Sequence, residues 1–352
     1  MKQIIQSART GKMKVRNIPI PKADKGEILV HTHASLISPG TERMVVNFAK
    51  KNLISKAKNR PDLVKKVLNK AKTEGIKSTI NAVMAKLDNP IPLGYSAAGT
   101  VISIGAGLEG SFKIGQRVAI AGAGIANHAE INVVPANLAV SIPKDVTDDE
   151  AAFGTVGSIA LHAVRNLDAK LGEVVAVFGA GIIGQIATQL LNIAGIRTIV
   201  LDYNKTRLNL AKKLGAERAY NLDDNNVKTN IMNITNGIGC DGILVAAATE
   251  SNKPFVFAAE IARDRARVCM VGMSGTKFPY SDFMKKEMSI IISRSYGPGR
   301  YDEDYEGRGM KYPVGFIRWT ETENLAEIMR LLSPITKTFD NNKNVPAFIR
   351  IP

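Results

Sequence analysis

The chain has 352 residues, with 47 Lys/Arg against 32 Asp/Glu for a formal net charge of +15, and 45% of its residues are hydrophobic. That fits two domains, or one domain split by an insertion, with enough apolar material for a large core. No apolar run reaches the ~18 residues of a spanning helix, and two cysteines, Cys240 and Cys269, exclude a disulfide framework and a four-thiolate zinc site. The first residues lack the apolar stretch of a secretory signal, so the cytoplasm is the expected compartment.

Residues 1 to about 42 read as short strands broken by Pro and Gly, with 27–32 (Glu-Ile-Leu-Val-His-Thr) the clearest. His31 and His33 alternate along that strand and share a face, as a seed for metal binding or as an exposed pair. From 43 to 88 the spacing turns helical. Leu63, Val67 and Leu68, then Ile76, Ile80, Val83 and Leu87, recur at three- and four-residue steps, with Gly75 as a break. Between Arg43 and Lys86 there are twelve Lys/Arg and two acids, Asp62 and Glu74. This excess of ten is either a solvated helical face or a cationic lid that concentrates an anionic substrate. Nucleic acid is not expected, because the one aromatic, Phe48, is not interleaved with the lysines. Membrane attachment is not expected either, for want of interfacial Trp and Phe. Strands resume over 98–104 and 117–121, and His128 falls in a further strand segment.

From about residue 150 strand and helix alternate. Residues 174–178 (Val-Val-Ala-Val-Phe) have the continuous apolar character of a strand buried on both faces. A helix over 182–194, a strand over 198–201 and a helix through Leu214 follow. Further strands are expected at 242–246, 267–271 and 289–293. Repeated βα units of this length predict an α/β fold with a doubly wound parallel sheet.

The strongest motif is Gly179-Ala180-Gly181-Ile182-Ile183-Gly184, directly after the buried strand and opening a helix. Gly179 allows the tight turn, Gly181 lets backbone approach a pyrophosphate, and Gly184 lets helix and sheet pack closely. Ile182 and Ile183 begin the helix, whose unpaired N–H groups suit phosphate. Asp202, 23 residues after Gly179, is placed to bond the ribose hydroxyls. Its charge favours NAD over NADP, while Lys205 and Arg207 just downstream could neutralise a 2′-phosphate.

With these residues in place the chain resembles a medium-chain dehydrogenase/reductase of the alcohol dehydrogenase superfamily. The resemblance runs through Asn127-His128-Ala129-Glu130, Gly154-Thr155-Val156-Gly157 and the Gly179 loop. Three stretches are similar to the N-terminal half of bi-domain oxidoreductases. They are Ser38-Pro39-Gly40-Thr41-Glu42, residues 92–99 (Pro-Leu-Gly-Tyr-Ser-Ala-Ala-Gly), and the segment from Ser295-Tyr296-Gly297-Pro298-Gly299-Arg300 to Arg318-Trp319-Thr320-Glu321. The resemblance implies a Rossmann domain over 151–296. It also implies a mostly β, GroES-like substrate domain over 1–150 and 297–352, carrying the basic helical insert 43–88. In the bi-domain proteins a sugar-dehydrogenase-like half follows; here the chain stops at Pro352.

Zinc members of the superfamily hold the metal with a Cys, a His and a further Cys or acid. The corresponding positions here are Ser38, Tyr95 (with Ser96 in place of the acid of the turn) and Thr155, none a competent zinc ligand. No metal is therefore expected. The resemblance implies NAD-dependent hydride transfer on a sugar-, polyol- or sugar-acid-like substrate, and the cationic-lid reading of the insert would suit an anionic one. The alternatives are quinone- or enone-type C=C reduction and a non-enzymatic dinucleotide-binding sensor. Tyr95 could act as general acid in place of the metal, or simply fill its space. Ser38 and Thr155 could orient substrate or nicotinamide, or cap their loops. His162, two helical turns after Thr155, and His128 are further proton-transfer candidates. Tyr296 and Arg300 could contact substrate, with Arg294 a second candidate, or hold the domains together. Trp319 is expected in the core. A homodimer is expected, paired through residues 267–273 as the sheet's edge strand.

Overall fold

The computed structural model describes residues 1–7, 10–38, 40, 42, 89–333 and 350–351. The basic insert and its lysines lie outside them. The chain divides into two compact units, Met1–Val134 and Pro135–Pro352.

The first unit is antiparallel. β1 (Lys2–Ser7), β2 (Met13–Asn17), β3 (Glu27–Ser35), β4 (Pro90–Pro92), β5 (Ser96–Ile104), β6 (Arg117–Ala121) and β7 (Ile131–Pro135) make two sheets, in orders β2-β1-β4 and β7-β3-β5-β6. Ile28, Val30, Ala98, Val101 and Val118 are fully buried between neighbouring strands. Gly99 sits where β3 and β5 cross closely: a Cβ there would lie 2.1 Å from the His31 carbonyl oxygen. His128 is not in a strand. It lies in the bend before β7, because residues 127–130 turn to bond β1, with Ile4 N–H donating to the His128 carbonyl at 2.9 Å. His31 and His33 form the exposed pair, ring centroids 5.4 Å apart.

The second unit continues with β8 (Ala139–Ser141), α1 (Asp148–Ala151), α2 (Gly154–Leu167), β9 (Val174–Phe178), α3 (Ile182–Ile193), β10 (Arg197–Asp202), α4 (Lys205–Lys213), β11 (Arg218–Asn221), α5 (Val227–Ile234), β12 (Cys240–Val245), α6 (Lys253–Ile261), β13 (Ala262–Met270), α7 (Tyr280–Lys285), β14 (Ser289–Ile292), α8 (Glu303–Glu306) and α9 (Glu321–Leu332). Six of its strands, β9 to β14, run parallel in the order β11-β10-β9-β12-β13-β14, a Rossmann-like doubly wound sheet. β9 is buried at every position because helices cover both faces. Val174, Ala176 and Phe178 pack with Ile231, Phe255 and Ile261 on one face. On the other, α2 and α3 pack together, and α9 lies so close to α2 that a Cβ at Gly157 would meet Ile328 at 2.8 Å.

This strand order corrects the expected edge. β13 is hydrogen-bonded on both sides, to β12 and to β14, so residues 267–270 are interior. The apolar run there reflects that double burial. β14 is the edge, with Ile292 71% exposed.

Candidate functional site

At the C-terminal end of β9 the chain turns sharply into α3. Gly179 has φ +95°, and a Cβ on it would press on the Ala247 backbone nitrogen at 2.9 Å. A Cβ at Gly184 would lie 1.8 Å from the Gly179 carbonyl oxygen, so only glycine lets the helix start this close to the strand. Over Gly181, by contrast, a Cβ would meet nothing within 4 Å. Gly181 caps α3 without a side-chain hydrogen bond, which leaves the N–H groups at Ile182 and Ile183 facing an uncapped helix end. Asp202, at the end of β10, accepts from Ala180 N–H at 2.7 Å through Oδ2 and from Asn204 N–H at 2.8 Å through Oδ1. It thus ties the glycine turn to the neighbouring strand and keeps a carboxylate half-exposed beside it. A tight turn, an open approach at Gly181 and an adjacent acid fit a dinucleotide.

A cavity of about 710 Å³ opens at this end of the sheet, lined by Gly179 and Asp202 together with Tyr203, Asp224, Lys228 and Lys253 among others. The last four were not expected from sequence, since they come from the loops and helix starts that follow three different strands. Lys228 pairs across the lining with Glu260 at 3.7 Å. Arg207 is not part of this lining. Its backbone N–H bonds the Asn204 cap of α4 and its carbonyl accepts from Gln185.

In the first unit, Ser38, Tyr95 and Glu42 are half-buried and His128 is buried. Ser38 N–H donates to Glu42 Oε1 at 2.9 Å, and Glu42 N–H to the Ser38 carbonyl at 3.0 Å. Glu42 Oε2 lies 3.1 Å from His128 Nε2, and His128 Nδ1 lies 2.9 Å from Ser35 Oγ. His128 N–H donates to the carbonyl of Leu93, two residues before Tyr95. The carboxyl of Glu42 titrates below its usual range: burial opposes this, but the hydrogen bonds from His128 and the Ser38 N–H outweigh it. Glu42 was quoted only as part of a motif, and nothing in the sequence pairs it with a histidine 86 positions away.

The remaining candidates lie in the second unit. Thr155 is fully buried in α2. His162, farther along that helix, is held below its usual pKa by burial and then by Arg165 and Arg294, which keeps it neutral; Asn166 Nδ2 lies 3.1 Å from its Nε2. Tyr296 is buried, its hydroxyl without a hydrogen-bond partner among the described residues. Arg300 is already occupied: its Nη1 bonds both carboxylate oxygens of Glu306, at 2.7 and 2.9 Å. Beside this pair lies Glu321, 1% exposed, with neither carboxylate oxygen hydrogen-bonded among the described residues. Trp319 is not in the core. It is 37% exposed and sandwiched between guanidinium groups, Arg165 at 3.4 Å and Arg318 at 3.9 Å from its ring centroid. Phe316 beside it is 89% exposed.

Among the described residues no three His, Cys, Asp or Glu side chains gather where they could hold a metal ion. Burial also pushes both cysteine thiols up to about 12.

A family profile described as zinc-binding dehydrogenase matches residues 183–307. L-threonine 3-dehydrogenase of Shewanella putrefaciens is 29% identical over 275 residues, 70% of this chain and 74% of that protein. Among solved structures, galactitol-1-phosphate dehydrogenase of Escherichia coli superposes with a TM-score of 0.67 at 19% identity, covering 94% of this chain and 88% of the other. The 2R,3R-butanediol dehydrogenase of Bacillus subtilis gives 0.64 at 17% identity, covering 84% of each. The chain is thus similar to medium-chain dehydrogenases. The matched profile takes in the helix after the glycine turn, Asp202 and the Tyr296–Arg300 segment. It includes none of Ser38, Tyr95 and Thr155. No described helix is long and apolar enough to cross a membrane.

Proposed function

We propose that the chain is a zinc-independent, NAD(H)-dependent oxidoreductase acting on an alcohol or carbonyl group of a sugar-, polyol- or sugar-acid-like substrate. The observation that carries the cofactor assignment is the Gly179–Gly184 turn with Asp202 bonded to Ala180 N–H at 2.7 Å. When bound, NAD would supply the hydride acceptor. The uncapped start of α3 would hold its pyrophosphate, and Asp202 its ribose hydroxyls, where a 2′-phosphate would be repelled. An alcohol–carbonyl couple is supported by relatives named for threonine, galactitol phosphate and butanediol.

Zinc independence rests on donor chemistry. Ser38, Tyr95 and Thr155 offer neutral hydroxyls where zinc relatives offer thiolate, imidazole and carboxylate. Polarising the substrate oxygen then falls to hydrogen-bond donors, with Tyr95 donating to it and Ser38 and Thr155 as orienting groups. The same absence of ligands favours a second reading, reduction of a C=C bond conjugated to a carbonyl. The chain would work as a homodimer joined through the open edge of β14. The lysines of 43–88 would draw in an anionic substrate.

The test is cofactor turnover by purified protein with NAD⁺ and NADP⁺ over secondary alcohols, polyols and sugar acids, and with NADH over enones and quinones. Alcohol-dependent NADH formation supports the proposal, and enone-dependent NADH consumption supports the second reading. Tight NADH binding without turnover of any member would leave a dinucleotide-binding sensor.

A further inference from the structure

The Glu42–His128–Ser35 chain was not part of any expected site, yet its geometry is that of a proton carrier. A carboxylate can only accept, so the 3.1 Å contact between Glu42 Oε2 and His128 Nε2 places the imidazole proton on Nε2. Nδ1 is then the bare nitrogen, and it faces Ser35 Oγ at 2.9 Å. A hydroxyl, a basic imidazole nitrogen and a carboxylate thus stand in line, the acid fixing the tautomer and able to balance the charge of an imidazolium. The two inner members are shielded, with side-chain exposures of 6% for His128 and 13% for Glu42. Ser35 is half-buried and forms the open end. The same chain borders the candidate catalytic hydroxyls: Glu42 Oε1 accepts from Ser38 N–H, and Ser35 pairs in register with Ala97, two residues from Tyr95.

Resting on the oxidoreductase reading above, we propose that Ser35, His128 and Glu42 form the proton relay of the reaction. Oxidation of an alcohol to a carbonyl breaks one C–H and one O–H bond. The hydride, with both electrons, leaves for the oxidised nicotinamide. The hydroxyl proton passes to Ser35 Oγ as the Ser35 proton passes to His128 Nδ1. The product is a carbonyl, a reduced cofactor and an imidazolium paired with Glu42. Reduction runs the same transfers backwards. Ser35 is the member that meets substrate; His128 and Glu42 are positioning residues behind it. The relay supplies a base where the zinc-binding set is missing.

A purely structural pair would pin the 36–42 loop and do nothing more, so the experiment separates the two roles with His128→Gln and Glu42→Gln. In the second variant the amide still accepts from Ser38 N–H, but its NH₂ donates to His128 Nε2. That turns the imidazole around and leaves an N–H facing Ser35. Both variants should keep the wild-type Tm and the wild-type Kd for NADH. At pH 7 both should lose about 10²-fold in kcat for alcohol oxidation. Their rates should then climb tenfold per pH unit as hydroxide replaces the lost base. Without cofactor, proton NMR of the wild type should show an imidazole N–H resonance downfield of the amides, absent in His128→Gln. Variants with the wild-type rate and pH profile would overturn the relay. So would variants that lose Tm, NADH binding and rate together, which would make the pair a loop clamp. If the wild type turns over no alcohol at all, the oxidoreductase reading fails first and the relay falls with it.

Discussion

Glu321 lies at the first turn of α9, 1% exposed, with both carboxylate oxygens lacking hydrogen bonds among the described residues. Burial pushes its pKa from 4.5 up to about 8, helped by the nearby Glu306 carboxylate and opposed by Arg300 and Arg294. The folded chain therefore holds a proton that the unfolded chain releases above the ordinary glutamate value. Stability must fall as pH rises through the window from 4.5 to about 8, and level off above it. At about 1.4 kcal/mol per pKa unit, the whole shift amounts to roughly 5 kcal/mol, of which about 3 kcal/mol is lost between pH 5 and pH 8. Glu321→Gln keeps the shape of the protonated carboxyl and removes the titration. Thermal unfolding of both proteins at half-unit steps from pH 5 to 8 reads the difference. The wild-type Tm should drop relative to the variant by roughly 6–12 °C over that range, for a unit of this size. Parallel Tm curves would refute the reasoning, and would mean that Glu321 is ionised in the fold and balanced by Arg300.

Gly184→Ala places a methyl 1.8 Å from the Gly179 carbonyl and should weaken NADH binding at least tenfold by fluorescence titration; unchanged affinity would show that helix and strand can part without cost. Asp202→Asn removes the charge that repels a 2′-phosphate, so the kcat/KM ratio of NAD⁺ to NADP⁺ should fall by about tenfold or more, and an unmoved ratio would separate Asp202 from cofactor choice. Ile292→Lys puts a charge on the open strand edge and should yield a monomer by sedimentation at micromolar concentration, where the proposed homodimer predicts twice that mass for the wild type; a monomeric wild type would refute the dimer.

The dinucleotide turn was legible because its signal is local. An apolar run long enough for one strand, glycines at fixed offsets and an acid one βα unit later need no long-range information. Residues 174–178 and 117–121 coincide with β9 and β6 for the same reason. β11 was missed because Arg218–Asn221 is short and polar, its strand character coming from pairing with β10. The edge strand was misplaced because edge position belongs to strand order, which local apolarity does not encode. Trp319 was misjudged because its two arginine neighbours satisfy the ring at the surface. The Glu42–His128 contact joins a loop and a bend 86 residues apart, and Glu321 looks in sequence like any acid of a helix start capped by Thr320. Each of these failures concerns a tertiary neighbour.

The central claim, hydride transfer with NAD and without zinc, meets its most direct test in a single preparation. The 352-residue chain is stripped with chelator, its zinc is measured by mass spectrometry, and alcohol-dependent NADH formation is followed before and after stripping. The account predicts less than about one zinc per ten chains and an unchanged kcat, because protein hydroxyls do the work of polarising the substrate oxygen. One zinc per chain, with turnover lost on stripping and restored by added zinc, would contradict it.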